Sequence, residues 1–165
     1  MSDLRIEKIL IDRERRYCRI LDIQNIYKKP LLVGRINYPG SSKCTPASEA
    51  CFVQLKLLLG STFSCEVVHS ELLKDLDGET QILVINDDPI NIKKKAVELE
   101  ESHALGRLFD IDVIDMNGCP VSRTSIGFES RLCLICDQPA LECVRAQRHE
   151  LSDVLAVIYG LTKDI

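Results

Sequence analysis

The apolar positions Ile6, Ile9 and Leu10, continued by Arg13 and Tyr17, recur at helical spacing. They predict one amphipathic helix over residues 3–26, ended by Lys28-Lys29-Pro30. Residues 31–37, Leu-Leu-Val-Gly-Arg-Ile-Asn, read as a short strand, and Tyr38-Pro39-Gly40-Ser41-Ser42 as a turn. Thr45 is placed to cap a helix that has Pro46 in its first turn, runs to Leu59 and stops at Gly60. Residues 65–70 and the β-branched stretch 80–85 read as strands around an Asp77-Gly78 turn. Asp87 or Asp88 caps the next helix, which starts at Pro89 and runs to Ser102. Residues 108–115 and 121–125, joined by Asn117-Gly118, give the strongest hairpin signal in the chain. A last helix is expected over 150–159.

Strands and helices intermingle, so the predicted class is α+β or α/β: a mixed sheet with flanking helices and a cysteine-rich, helical C-terminal segment from about residue 131. A chain of 165 residues suits a single domain, and no repeat or low-complexity linker divides it. The net charge of −4 supplies no overall basic field and argues against nucleic acid as the main partner. Acids and bases in residues 1–8 precede any apolar stretch, unlike a secretory leader, and no apolar run is long enough to span a membrane. The expectation is a cytoplasmic protein whose eight cysteines stay reduced. Cys18, Cys44, Cys51, Cys65 and Cys119 then serve as small core residues or incidental surface ones.

Five constellations carry chemistry. In Phe109-Asp110-Ile111-Asp112-Val113, alternation along a strand puts Asp110 and Asp112 on one face, with Cα atoms ~7 Å apart. Two carboxylates on one face fit Mg²⁺ with substrate phosphates between them; the alternatives are a solvated acidic edge or pairing with a neighbour such as Arg107 or Arg123. Asn37-Tyr-Pro-Gly40, followed by Lys43, lies between a strand and a helix and could suit an anion, but the Walker spacing is absent and, on the residues alone, a plain turn and capped helix with one exposed lysine is the better reading. His103 and Arg107 lead into the Asp110 strand as a candidate general base and a candidate phosphate contact; the helix dipole also favours them at a helix end. Cys133, Cys136, Cys143 and His149, spaced C-x₂-C-x₆-C-x₅-H, fit a tetrahedral Zn²⁺ site if the chain breaks near Gln147. Arg123, Arg131, Arg145 and Arg148 offer grips for phosphates or for an acidic partner protein.

Taken together, Gly106 to Asp115, Ser122-Arg123, Gly127, Arg131-Leu-Cys-Leu-Ile-Cys136, Ala140, Cys143, Arg145 and His149 resemble the holo-citrate lyase synthases. These are also called apo-citrate lyase phosphoribosyl-dephospho-CoA transferases. The Asn37-Tyr-Pro-Gly40 turn with Lys43 extends the likeness, which covers about residues 10–158. The resemblance implies transfer of triphosphoribosyl-dephospho-CoA to a serine of the citrate lyase acyl carrier subunit, with release of pyrophosphate. On that reading Asp110 and Asp112 hold Mg²⁺, and His103 serves the serine hydroxyl. Lys43, Arg107 and Arg123 contact phosphate, and the Cys/His cluster is a structural knot or a carrier contact. Two alternatives stand beside it: the equivalent enzyme for another carrier, such as that of malonate decarboxylase, and a non-enzymatic zinc-stabilised interaction module.

Overall fold

In the computed structural model, which describes residues 2–40, 42–163 and 165, nine elements follow one another. They are α1 (Ser2–Tyr27), β1 (Leu31–Ile36), α2 (Pro46–Thr62), β2 (Val67–Asp75), β3 (Gly78–Ile85), α3 (Pro89–Ser102), β4 (Phe109–Ile114), α4 (Ala140–Arg145) and α5 (Leu151–Thr162). Ser41 of the expected turn lies outside the described residues. The sheet order is β2-β3-β1-β4, and all three pairings are antiparallel. The sheet expected to be mixed is thus uniform in direction, which narrows the class to α+β. The two-residue link from β2 to β3 permits no other arrangement of that pair.

Side-chain alternation divides the sheet into two apolar faces. Leu31, Ile82 and Val84 pack with Ile23 of α1 on one. Leu32, Leu83, Phe109, Ile111 and Val113 meet Phe52 and Leu55 of α2, Ile92 and Ala96 of α3 and Ile158 of α5 on the other. Thr45 and Ser48 form a reciprocal capping box at the start of α2, and Asp88 caps α3 through the Ile90 and Asn91 N–H groups.

Four expectations need correction. α1 docks through Ile9, Arg16, Ile23 and Gln24, while Ile6, Leu10 and Tyr17 of the expected face are 49%, 56% and 62% exposed. The helix is turned toward Arg16 and Ile23: Arg16 reaches the buried carboxylate of Asp77 at 2.9 Å and Ile23 packs on Leu31, Ile82 and Val84, while Arg13 of the expected face keeps its own bond to Asp77 at 3.0 Å. α2 does not stop at Gly60. The space around Gly60 is open, a helical glycine costs only ~1 kcal/mol, and the fully buried Phe63 anchors the end with its N–H on the Leu59 carbonyl. β2 is displaced and longer than the expected 65–70 strand. Its charged positions are accommodated by ion pairs, Glu71 with Arg19 and Lys74 with Glu79.

The expected second strand at 121–125 shrinks to one bridge, Ile114 with Pro120, and a bond from Val121 N–H to the Val113 carbonyl; a 3₁₀ turn follows at Thr124–Ile126. Side chains already occupy the outer edge of β4. Glu100 accepts from Ile111 N–H at 3.0 Å, Lys93 donates to the Ile111 carbonyl at 2.8 Å, and Arg131 donates to the Phe109 carbonyl. Those groups occupy the edge at Phe109 and Ile111, so strand pairing goes no further than Val113, and they protect the edge.

α3 hands over to β4 through a tight turn at Gly106. A Cβ built there would lie 2.3 Å from the backbone oxygen of Glu100, a contact that only backbone displacement relieves. Gly106→Ala is therefore expected to destabilise the fold by ~2–3 kcal/mol, read as a lowered midpoint in urea with an unchanged slope. A variant as stable as the parent would show that this turn yields freely.

Candidate active site and metal centre

β4 carries Asp110 and Asp112 on the same face as Arg35 of β1, and Arg35 is the cross-strand partner of Asp110. Among the described residues neither carboxylate makes a side-chain hydrogen bond or ion pair. Asp112 keeps solvent contact. Even so, the protein around it displaces water, and the Asp110 charge adds to that effect, so its carboxyl is held above the usual carboxylate range. The like charge of Asp110 favours a bound cation, and the nearby Lys93 ammonium already offsets part of it.

Arg35 belongs to a cationic cluster around Asp77. Arg35 Nη2 lies 2.6 Å from Asp77 Oδ2, and Arg13 and Arg16 approach the same carboxylate. Burial alone would raise Asp77, but hydrogen bonds from Arg13 and Arg16 and the Arg35 charge outweigh it and hold the group at about 2. Asp75 lies 3.9 Å from Arg16, so three guanidinium groups meet two carboxylates and leave a smaller excess of positive charge beside the Asp110 face. Arg35 Nε and Arg16 Nη1 are buried without a hydrogen-bond partner.

The other expected residues separate into groups. Arg123 and Arg131 are tied to the buried Glu100 at 2.9 and 2.6 Å and act as part of the lock on the β4 edge. Lys43 folds back to donate to the Tyr38 carbonyl, and its amine is lowered by burial. His103 stacks on Phe109 with ring centroids 5.2 Å apart. Phe109 points to the face opposite Asp110, so the structure does not bring His103 to the carboxylates. His103 Nδ1 accepts from Leu105 N–H at 3.1 Å, which leaves Nε2 as the donor in the neutral ring. Arg145 and Arg148 are exposed. A groove of about 610 Å³ opens at the end of the sheet where β1 ends and β4 begins, and it collects Asn37, Gly40, Arg107, Arg131, Cys133, Cys143 and His149.

The cysteine cluster is built by a knuckle and a broken helix. Leu132 bridges Pro139, and Cys133 N–H bonds the Gln138 carbonyl at 2.7 Å, so Cys133 and Cys136 lie at the tip of a tight loop. Cys143 is buried on α4. The chain then breaks at Gln147, whose φ of 45° is left-handed, and turns His149 back onto the thiols. The four ligand atoms lie within 4.8 Å of one another, with Cys136 Sγ 3.5 Å from Cys143 Sγ and 3.3 Å from His149 Nε2. Sulfur ligands ~2.3 Å from a tetrahedral ion sit about 3.8 Å apart, so the cluster can hold a metal ion such as zinc. Burial would raise the Cys133 thiol, but backbone N–H groups of Ile135 and Cys136 pull it down to about 6, which favours a thiolate there.

Residues 4–165 match the family model described as apo-citrate lyase phosphoribosyl-dephospho-CoA transferase. The chain belongs to that family. A Vibrio cholerae serotype O1 protein described as a probable apo-citrate lyase phosphoribosyl-dephospho-CoA transferase is 31% identical over 164 residues, covering 96% of this chain and 92% of that protein. A Citrobacter koseri protein with the same description, without "probable", is 31% identical over 162 residues, covering 96% and 88%. One from Escherichia coli is 30% identical over 167 residues, covering 97% and 89%. The family makes the chain a group-transferring enzyme. Among the described residues no helix is long and apolar enough to cross a membrane.

Three residues of the site escaped the sequence reading. Arg35 is the single charge in an otherwise apolar strand, which is the signal that could have found it. Glu100 continues the Ile92–Ala96 spacing on the buried side of α3, and Lys93 lies beside that line.

Proposed function

We propose that this enzyme joins the phosphoribosyl-dephospho-CoA group to a serine of the citrate lyase acyl carrier subunit, using triphosphoribosyl-dephospho-CoA as donor. The serine Oγ attacks the phosphorus next to the ribose. A new O–P bond forms, the bond to the leaving pyrophosphate breaks, and the hydroxyl proton is released. The observation that carries the reading is the unpartnered pair Asp110 and Asp112 beside a cationic cluster, in a chain of this family. These two carboxylates would hold Mg²⁺, which when bound would neutralise phosphate oxygens as charge moves onto the leaving group. Arg35, facing Asp110, supplies fixed positive charge on the same face. His103 receives no proton-transfer role, because its stacked ring lies on the other side of β4. The reading places the enzyme in the cytoplasm, where the clustered thiols stay reduced.

Mixing enzyme, donor and apo carrier is expected to release pyrophosphate in proportion to carrier and to stop on addition of EDTA. Release that continues without carrier would overturn the reading.

We further assign zinc to the Cys₃His cluster as a structural ion. The purified protein is expected to contain about one zinc per chain, and stripping it is expected to speed hydrogen exchange over residues 131–150 by at least ~10-fold while the sheet stays protected. A metal-free protein with the same exchange pattern would remove the assignment.

A further inference from the structure

The groove beside the Cys₃His cluster carries a more specific reading. Its wall is mainly apolar and open: Leu132, Val144 and Leu151 are 45%, 73% and 48% exposed and face it together with Val154. Contiguous apolar side chains left in water mark a binding surface, and the volume of about 610 Å³ suits one cofactor-sized molecule. Gly40 closes one end, since a Cβ added there would lie 3.4 Å from Leu151 Cδ2. Arg107 lies in the lining. It spends one N–H on the Leu132 carbonyl and has no carboxylate partner among the described residues, so its remaining donors are available to an anion.

The position of the groove matters as much as its lining. Asn37, at its edge, donates its N–H to the Leu108 carbonyl at 2.8 Å. Asp110 follows two residues along the same strand, ~7 Å away. Val154 of the groove packs on the core that includes Phe109, and Asp110 points to the opposite face, so a ligand lying in the groove has to pass over the end of the sheet to bring one end to the carboxylates. Cys133, Cys143 and His149 form part of the wall, so a metal that fixes the knuckle onto α4 also fixes the groove.

We propose that this groove holds the dephospho-CoA body of the donor, an inference that rests on the transfer reading above. Its apolar arm lies along Leu132, Val144 and Leu151, its diphosphate lies at Arg107, and its ribosyl end points toward Asp110. The groove then selects the donor, and the carboxylate face performs the transfer.

Calorimetric titration with dephospho-CoA itself, which lacks the reacting triphosphate, tests the groove apart from the chemistry. The wild-type enzyme is expected to bind it. Val144→Glu, at an exposed position that should not disturb folding, and Arg107→Gln are each expected to weaken binding at least tenfold, whereas Asp110→Asn should change it by less than about twofold. Zinc removal should weaken it as well. Failure of the wild-type enzyme to bind dephospho-CoA would overturn the proposal, as would wild-type affinity in both groove variants. The transfer assay separates the two readings. Groove-dependent binding with no modification of the carrier would sink the reaction and leave the groove, while transfer by Val144→Glu with an unchanged KM for donor would sink the groove alone.

Discussion

Asp110→Asn is expected to lower the transfer rate by ~10³-fold or more with little change in melting temperature, because it removes one of two carboxylates that would hold the metal at the reacting phosphates. The substitution keeps the shape of the side chain. Asp110 is only partly buried and bonds no other side chain among the described residues, so the fold has no reason to respond. Asp112→Asn should behave alike, and the double variant should be little worse than either single one, since the pair acts as one unit. A stable Asp110→Asn enzyme with near-normal turnover would remove the carboxylate face from the chemistry.

The largest effect on stability is expected at Asp77. Its carboxylate is fully buried among Arg13, Arg16 and Arg35. Asp77→Ala would remove the carboxylate that all three guanidinium groups share, leaving Arg35 its bond to the residue 77 backbone carbonyl and Arg16 its contact with Asp75. The cost of breaking such a buried network is about 3–5 kcal/mol, and at this chain length it corresponds to a fall of roughly 10 °C in Tm. The pH dependence has a definite sign. The folded-state value, about 2, lies below the ~3.9 of an unfolded chain. The stabilisation is therefore complete above pH 4 and is lost as pH falls toward 2. Urea titrations of wild type and Asp77→Ala should show a stability gap that is constant at neutral pH and narrows through that window. A gap that persists below it would show that Asp77 acts by packing rather than charge.

Much of this structure was legible in the chain. The caps at Thr45 and Asp88 and the prolines behind them mark α2 and α3 because those residue types satisfy free N–H groups at helix starts, whatever the rest of the fold does. The need for a break near Gln147 followed from helical geometry alone, because Cys143 and His149 cannot share a helix face. The alternation that puts Asp110 and Asp112 on one side of β4 is equally local. What the sequence could not convey was the pairing of distant charges. Asp77 looked like a turn residue, yet it pairs with Arg13 and Arg16 of α1. Glu100 drew no attention in the sequence, yet it bonds the β4 edge at Ile111, engages Arg123 and Arg131, and stops the expected hairpin strand at Val113. His103 was close to the carboxylates in sequence but not in space, because a ring stacked on Phe109 shares that residue's face and not the face of Asp110.

The most direct test of the whole reading is the intact mass of the citrate lyase acyl carrier subunit after incubation with the enzyme, Mg²⁺ and triphosphoribosyl-dephospho-CoA, followed by peptide mapping. The expected result is a gain equal to the phosphoribosyl-dephospho-CoA group on one serine, absent when Mg²⁺ is withheld and absent with Asp110→Asn. An unmodified carrier, with folded enzyme and a carrier that a relative from the family can modify, would contradict it.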